Sequence, residues 1–165
     1  MRGLGLKTVL GFGAVAVLAA FLDQGVKQWV EAALPFGEMV PVLPFLALFR
    51  TYNTGVAFSM FSGSGALGLF VLSVLVVGFV LYLASRTDGH QRLSRLGFAL
   101  VVGGALGNLF DRAIHGHVID YVLFHTPVWS FAVFNLADAF ITVGAGLVLL
   151  DEILLMRRGK PAAES

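Results

Sequence analysis

Five aspartates beside or inside apolar segments are the residues whose type and setting point to chemistry. Four are predicted to lie at one edge of a membrane and the fifth at the other edge: Asp23, Asp111, Asp120, Asp138 and, opposite them, Asp151. A carboxylate is costly in such surroundings and usually has a function there. Two carboxylates that lie close together cannot both ionise, so they share a proton and can act as acid and base in hydrolysis.

The composition excludes several classes of protein. The chain has 165 residues, enough for one domain, and 58 % of them are hydrophobic while 13 % are charged. Soluble domains carry roughly half apolar and about a quarter charged residues, so the mean hydropathy of +0.87 indicates a membrane protein. A net charge of +1 gives no sign of a nucleic-acid partner, and the absence of cysteine excludes disulfides, thiol nucleophiles and cysteine metal sites.

Four apolar segments predict four transmembrane helices, at about residues 8–30, 66–84, 96–114 and 134–156. Crossing about 30 Å of hydrocarbon takes roughly 20 helical residues, and the first, third and fourth segments reach that length only if they include an acidic residue. The first segment resembles a signal peptide. However, Asp23 and Lys27 follow it where small residues would prepare cleavage, so we interpret it as a retained span.

The placement of lysine and arginine predicts the orientation. Eight of these eleven residues lie before the first span, between the second and third, or after the fourth. The cytoplasmic side carries this excess, so both termini are expected inside and the four clustered aspartates outside. Asp151 and Glu152 then lie at the inner end and need no special role.

Two segments outside the membrane remain. Residues 39–61 combine prolines with aromatic and β-branched residues, which predicts short strands resting on the membrane surface. Residues 112–133 form the second outer link, in which Trp129 and Phe131 suit interfacial anchors. The predicted fold is therefore an all-α integral membrane protein with a small outer β segment, in one membrane domain over residues 1–165.

Several polar residues allow a functional and a plainer interpretation. Asp23 and Lys27 are four apart on a helix and can pair, either within a site or as an interfacial ion pair with Lys27 reaching outward. Asn53 and Gly55 favour an ordinary turn, although an amide there could hold a peptide backbone. Asn108 and Asp111, which share a helix face, could form a site or a structural hydrogen-bond network. Arg112 does not face Asp111 on a helix.

Helix capping is the plainer interpretation of the remaining acids and amides. An N-cap role would explain Asn135 well and Asp138 less well, because the fourth span needs residues before Asp138 to reach its length. It is also the alternative for Asp120. Spacing alone does not decide whether Asp120 or Asp111 partners Asp138 as the second carboxylate.

Other chemistries have weaker support. A serine–lysine nucleophile would need Ser59 or Ser62 beside Lys27, and nothing in the sequence brings them together. Histidines 115, 117 and 125 lack a zinc-binding motif, so neither metal nor cofactor is predicted. A proton-coupled transporter or channel subunit is the main alternative from another class, but it would need acids distributed through the membrane depth. A membrane scaffold is the third possibility.

Five short blocks, in order, resemble the bacterial lipoprotein signal peptidases (signal peptidase II) over nearly the whole chain. The blocks are Asp23-Gln-Gly-Val-Lys27, Asn53-Thr-Gly-Val-Ala-Phe58, Gly107-Asn-Leu-Phe-Asp-Arg112, Gly116-His-Val-Ile-Asp120 and Phe134-Asn-Leu-Ala-Asp138. Each block is weak alone, but the five together with four spans are highly specific.

The resemblance implies an aspartic endopeptidase of the bacterial inner membrane, acting on diacylglyceryl-modified prolipoproteins, with membrane lipid as its other partner and a monomer sufficient. It places the catalytic pair on Asp120 and Asp138 and supporting polar roles on Asp23, Lys27, Asn53, Asn108, Asp111, Arg112 and Asn135. It also implies an outer β-cradle and a short outer helix over the site. Members often carry a second acid where this chain has Leu123, which puts in doubt any role for that extra acid.

Overall fold

The computed structural model describes residues 6–55, 65–87 and 91–158. In chain order the elements are helix α1 (Leu6–Ala33), strands β1 (Met39–Leu43) and β2 (Leu46–Asn53), helices α2 (Gly65–Arg86) and α3 (Arg92–His115), strands β3 (Val118–Thr126) and β4 (Trp129–Ser130), and helix α4 (Leu136–Arg158).

All four helices are long and apolar enough to cross a membrane. The prediction of four apolar helices is therefore confirmed, with boundaries that differ by a few residues. The largest differences are at α3, which begins four residues earlier than predicted, and at α1, which ends at Ala33 rather than residue 30. Helix α4 begins at Leu136 rather than residue 134. Gly116 ends α3 in the left-handed conformation that favours glycine, with φ of 74°.

Helix α3 lies at the centre of the bundle, where it packs against α1, α2 and α4. It approaches α4 closely at Gly104, which faces the Ala137 backbone, and at Gly97 and Gly144, where a Cβ atom added to Gly144 would lie 2.5 Å from the Gly97 carbonyl oxygen. Small residues at such crossings let two backbones meet, as in membrane helix pairs generally. This close packing brings the polar ends of α3 and α4 together.

The strands form one antiparallel sheet in the order β1-β2-β3-β4. Strands β1 and β2 lie in the segment predicted to form strands, whose residues 56–61 fall outside the described part of the chain. Strands β3 and β4 occupy residues that were predicted to form the second outer link. The alternation of apolar and polar residues is missing there because Val118 to Tyr121 are all buried, and a strand covered on both faces has no such alternation.

A small core joins the sheet to the helices. Val30 from α1 packs with Ile119 and Tyr121 from β3, and Leu136 at the start of α4 lies against them. The strand and the helix are also joined directly, since the backbone nitrogens of Tyr121 and Val122 both donate to the carbonyl oxygen of Phe134. Asp120, between Ile119 and Tyr121, is thereby held against the first turn of α4.

The predicted short outer helix has no counterpart among the described residues, where every helix is one of the four long ones. Residues 56–64 lie outside the description.

Substituting alanine for Gly144 tests the α3–α4 crossing. We expect Gly144→Ala to destabilise the protein by about 1–3 kcal/mol, because the added methyl group would overlap the backbone of α3. The matched control is Gly146→Ala, two residues along the same helix, where a Cβ meets nothing within 4 Å. Unfolding midpoints in detergent measure both, and equal midpoints for the two variants would contradict this account of the crossing.

Candidate active site

Two carboxylates at one end of the bundle accept hydrogen bonds from amide groups. Asp120 in β3 accepts from the Asn135 amide at 2.7 Å and from the Asn53 amide at 3.0 Å. Asp138 in α4 accepts from the Asn108 amide at 2.8 Å and from the Asn135 backbone nitrogen at 3.2 Å. Among the described residues, neither carboxylate forms an ion pair with a lysine or an arginine.

Asn135 contacts both carboxylates and starts α4. Its side-chain oxygen accepts from the Asp138 backbone nitrogen at 3.0 Å, while Asp138 accepts from the Asn135 backbone nitrogen in return. This reciprocal pair is a capping box. Capping therefore explains Asp138 as well as Asn135, and the prediction that it explains Asp138 less well is wrong because α4 begins at Leu136. Asp120 lies in a strand and caps no helix.

The turn after β2 orients the amide that reaches Asp120. The backbone nitrogen of Gly55 donates to the Asn53 side-chain oxygen at 2.8 Å, so the amide nitrogen of Asn53 is turned toward Asp120. Gly55 has φ of 84°, a conformation that glycine adopts at little cost. The turn predicted at this position is therefore present, and it positions a side chain of the site.

A buried lysine links two further aspartates. The Lys27 ammonium lies 2.7 Å from a carboxylate oxygen of Asp23 and 2.7 Å from one of Asp111. All three side chains are at most 1 % exposed. The interpretation of Lys27 as an interfacial residue reaching outward is wrong, because a second carboxylate on α3 and an amide oxygen draw the ammonium inward.

Asn108 connects this ion cluster to the pair formed by Asp120 and Asp138. Lys27 donates to the Asn108 side-chain oxygen at 3.0 Å. An ammonium group can only donate, so the oxygen of the amide faces Lys27 and its nitrogen faces Asp138. Lys27 thereby fixes which end of Asn108 is presented to Asp138.

Burial changes the protonation of Asp120, which is 2 % exposed. The pKa of this carboxyl is raised to about 6. Loss of solvent is the largest cause, and the nearby charge of Asp138 acts in the same direction. The hydrogen bonds from Asn53 and Asn135 act in the opposite direction by stabilising the ionised form. A carboxyl with this pKa exchanges a proton close to neutral pH.

The other predicted residues lie in the same cluster. Asp111 accepts from Lys27, from the Gln24 amide at 2.7 Å and from the Ile119 backbone nitrogen at 3.3 Å. It is thus occupied by a positive charge and two further donors. Arg112 lies near enough for its charge to act on Asp138, Asp120 and Asp111, and donates to the Asn108 backbone oxygen at 3.4 Å.

Sequence reasoning missed two residues of this cluster. Gln24 donates to Asp111, and the Tyr121 hydroxyl accepts from the Leu136 backbone nitrogen at 3.0 Å. Gln24 follows Asp23 directly, and a glutamine beside an intramembrane acid was a signal that could have been used. Tyr121 gave no such signal in the sequence, because its strand was not predicted.

The alternative chemistries find no support in the described part of the chain. No three histidine, aspartate or glutamate side chains come together there as a metal site. Lys27 is paired with carboxylates rather than with a serine, and Ser59 and Ser62 lie outside the described residues. Asp151, at the opposite end of the bundle, accepts from the Ser94 backbone nitrogen at 2.9 Å.

A sequence model of the family described as Signal peptidase (SPase) II matches residues 15–154. The chain belongs to the signal peptidase II family. A protein of Mesorhizobium japonicum named lipoprotein signal peptidase is 64 % identical over 147 residues, covering 89 % of this chain and 88 % of that protein. One of Brucella ovis with the same name is 56 % identical over 144 residues, covering 87 % and 90 %.

Solved structures show the same fold at low sequence identity. A bacterial membrane enzyme solved by the in meso method at 2.3 Å resolution superimposes with a TM-score of 0.78, at 23 % identity, covering 100 % of this chain and 99 % of that one. A second, at 1.9 Å resolution, gives a TM-score of 0.77 at 24 % identity, covering 93 % and 97 %. The four-helix arrangement with its small sheet is therefore shared with membrane enzymes of known structure.

Replacing Lys27 tests the ion cluster of this signal peptidase II family member. We expect Lys27→Met to lower the free energy of unfolding by about 3–5 kcal/mol, because it leaves two buried carboxylates without their counter-charge. Lys7→Met, which removes an exposed lysine from the first turns of the same helix, should have no measurable effect. Denaturant titration in detergent without added lipid compares the two, and an unchanged midpoint for Lys27→Met would show that the cluster contributes nothing to stability.

Proposed function

We propose that the protein is an aspartic endopeptidase that removes signal peptides from diacylglyceryl-modified prolipoproteins. One observation carries the proposal: Asp120 and Asp138 both contact Asn135 and are held by amides rather than by positive charges. Family membership and the relatives named lipoprotein signal peptidase support the reaction and its substrate class.

The chemistry proposed for the pair is general acid–base hydrolysis. The ionised carboxylate takes a proton from a water molecule as the water oxygen attacks the scissile carbonyl carbon, and the protonated partner donates its proton to the carbonyl oxygen. When the tetrahedral gem-diol intermediate collapses, the pair donates a proton to the leaving nitrogen and the C–N bond breaks. One hydroxyl of the intermediate returns its proton to the pair as the new carboxyl group forms, so the pair regains its single shared proton. Since the two groups titrate together, neither role belongs to one residue alone.

The supporting residues differ in which side chain of the site they orient. Asn53, Asn108 and Asn135 orient the two carboxylates, and the turn at Gly55 orients Asn53. The cluster of Asp23, Lys27 and Asp111 fixes Asn108, while Arg112 supplies a second positive charge near Asp111, Asp120 and Asp138. Asp111 is a poor second member of the pair, because Lys27 already compensates its charge.

The setting proposed for the enzyme follows from charge placement. An excess of lysine and arginine at the end of the bundle that carries Lys7, Arg92 and Arg157 favours the cytoplasmic side for that end. The pair formed by Asp120 and Asp138 would then face the outer side of the bacterial inner membrane. There the four-stranded sheet forms the cradle for the peptide, and the lipid-bearing substrate enters sideways from the bilayer. We assign the whole chain to one membrane domain and treat one copy as sufficient.

A proton-coupled transporter is less well supported. A relay would need ionisable groups at successive depths of the membrane. In the described helices, Asp23, Asp111 and Asp138 lie together at one end, and Asp151 lies at the other end bound to a backbone nitrogen.

Asparagine substitutions test the assignment of the pair. We expect Asp120→Asn and Asp138→Asn each to abolish cleavage, because an amide can neither accept the proton of the water nor return it. The measurement is the appearance of a shorter product when the purified full-length protein in detergent is mixed with a diacylglyceryl-modified prolipoprotein.

Asp111→Asn is the matched control for the pair. It keeps the shape of the side chain and removes a buried charge, so activity should fall only in proportion to the loss of folded protein. If Asp111→Asn is inactive while Asp120→Asn cleaves, the partner of Asp138 has been assigned wrongly.

The amide of Asn53 provides a test through the pH profile. Asn53→Ala removes a hydrogen bond that stabilises ionised Asp120, so the pKa of Asp120 rises above about 6. The pair then keeps its shared proton to higher pH, and the alkaline limb of activity should shift upward by about one pH unit. A hydrogen bond to a charged group contributes roughly 1.5 kcal/mol, and one pKa unit corresponds to about 1.4 kcal/mol.

Thr54→Ala is the control for that shift, since Thr54 is the exposed neighbour of Asn53 in the same turn. Its profile should match that of the unmodified protein. A downward shift in Asn53→Ala would contradict the role of this amide as a stabiliser of the ionised pair.

A further inference from the structure

A second site lies at the opposite end of the bundle from Asp120 and Asp138. A cavity of about 310 Å³ opens between the first turns of α1 and α3. Its polar lining is basic, with Lys7 on α1 and Arg92 and Arg95 on α3. The rest of the lining includes apolar side chains, among them Phe12 and Leu96. A cavity of this size is within the range that binds small ligands.

Lys7, Arg92 and Arg95 have no carboxylate within ion-pair distance among the residues that the structure describes. Within residues 6–55, 65–87 and 91–158, the ion pairs within 4 Å are the two made by Lys27. None of the lining residues of the cavity is acidic. The first turn of α1 contains no acidic residue, and helix N-termini favour negative charge. The first turn of α3 is already capped by Asp151, which accepts from the Ser94 backbone nitrogen. The cavity is thus complementary to an anion.

A second opening extends the cavity along the bundle. About 160 Å³ of space lies between α1 and α2, lined by Leu81 and Ala84 of α2. Thr8, Phe12 and Arg95 border both cavities. The combined lining is basic at its mouth and apolar along its walls, and the exposed apolar residues Val9 and Leu10 of α1 continue it toward the bilayer.

We propose that these cavities bind one anionic glycerophospholipid of the cytoplasmic leaflet. Its phosphate would lie among Lys7, Arg92 and Arg95, and an acyl chain would lie against Phe12 and Leu96. Basic pockets between membrane helices on this side are suited to such headgroups. The apolar walls favour a lipid over a free anion, since a free anion would leave them exposed. The lipid would fill the space between α1 and α2.

The test compares two double variants that remove the same charge. Arg92→Gln with Arg95→Gln alters the cavity. Arg86→Gln with Arg157→Gln alters two exposed arginines at the same end that do not line it. Binding of phosphatidylglycerol and phosphatidylcholine to the full-length protein in detergent is measured by native mass spectrometry and by the rise in unfolding temperature, neither of which depends on proteolysis.

We expect phosphatidylglycerol to bind at least tenfold more tightly than phosphatidylcholine. The cavity variant should weaken that binding at least tenfold, since each arginine near an anionic headgroup contributes appreciably, and the other variant less than twofold. Arg92→Lys with Arg95→Lys should keep most of the binding, which separates lost charge from lost folding. Glycerol 1-phosphate should give no comparable rise in unfolding temperature.

Three outcomes would overturn the proposal. Equal weakening in the two double variants would mean general attraction to the basic end of the protein. Equal binding of the two lipids would mean that the basic groups do not select the headgroup. A rise with glycerol 1-phosphate as large as with the lipid would mean that the cavity takes a free anion only.

Discussion

A lysine ammonium buried between two carboxylates fixes one end of this helical bundle. Lys27 on α1 binds Asp23 on the same helix and Asp111 on α3, and all three are shielded from solvent. A lone charge there would be prohibitively costly, and removing one member leaves the others uncompensated. The register of α1 against α3 is therefore fixed, and with it the direction in which Asn108 presents its amide.

The four carboxylates are of two kinds, which differ in whether they contact the positive charge of Lys27. Asp23 and Asp111 share the positive charge of Lys27, which offsets part of the cost of burying them. Asp120 and Asp138 receive hydrogen bonds from amides instead, and burial raises the pKa of Asp120 to about 6. The four aspartates thus differ in role because their hydrogen-bond donors differ. Asp23 and Asp111 hold helices together, whereas the pair formed by Asp120 and Asp138 can exchange a proton.

The sequence was sufficient for some parts of this structure and insufficient for others. The apolar runs predicted four helices because hydrocarbon thickness imposes their length. They could not predict β3, since a strand buried on both faces lacks alternation. The pairing of Asp23 with Lys27 followed from helical spacing. The inward direction of the Lys27 side chain did not follow from spacing, because it depends on Asp111, 84 positions further along the chain. Likewise, no spacing rule relates Asn53 to Asp120 across two strands.

The capping box at the start of α4 has a mechanical consequence. Asp138 is bound to the first turn of a rigid rod of 23 residues, whereas Asp120 is part of a sheet. Rotating either side chain would break its hydrogen bond to Asn135, and moving the backbone of Asp138 moves the start of the rod against the sheet. The spacing of the two acids is a property of the entire scaffold, so distant changes in packing along α4 can alter it without touching either residue.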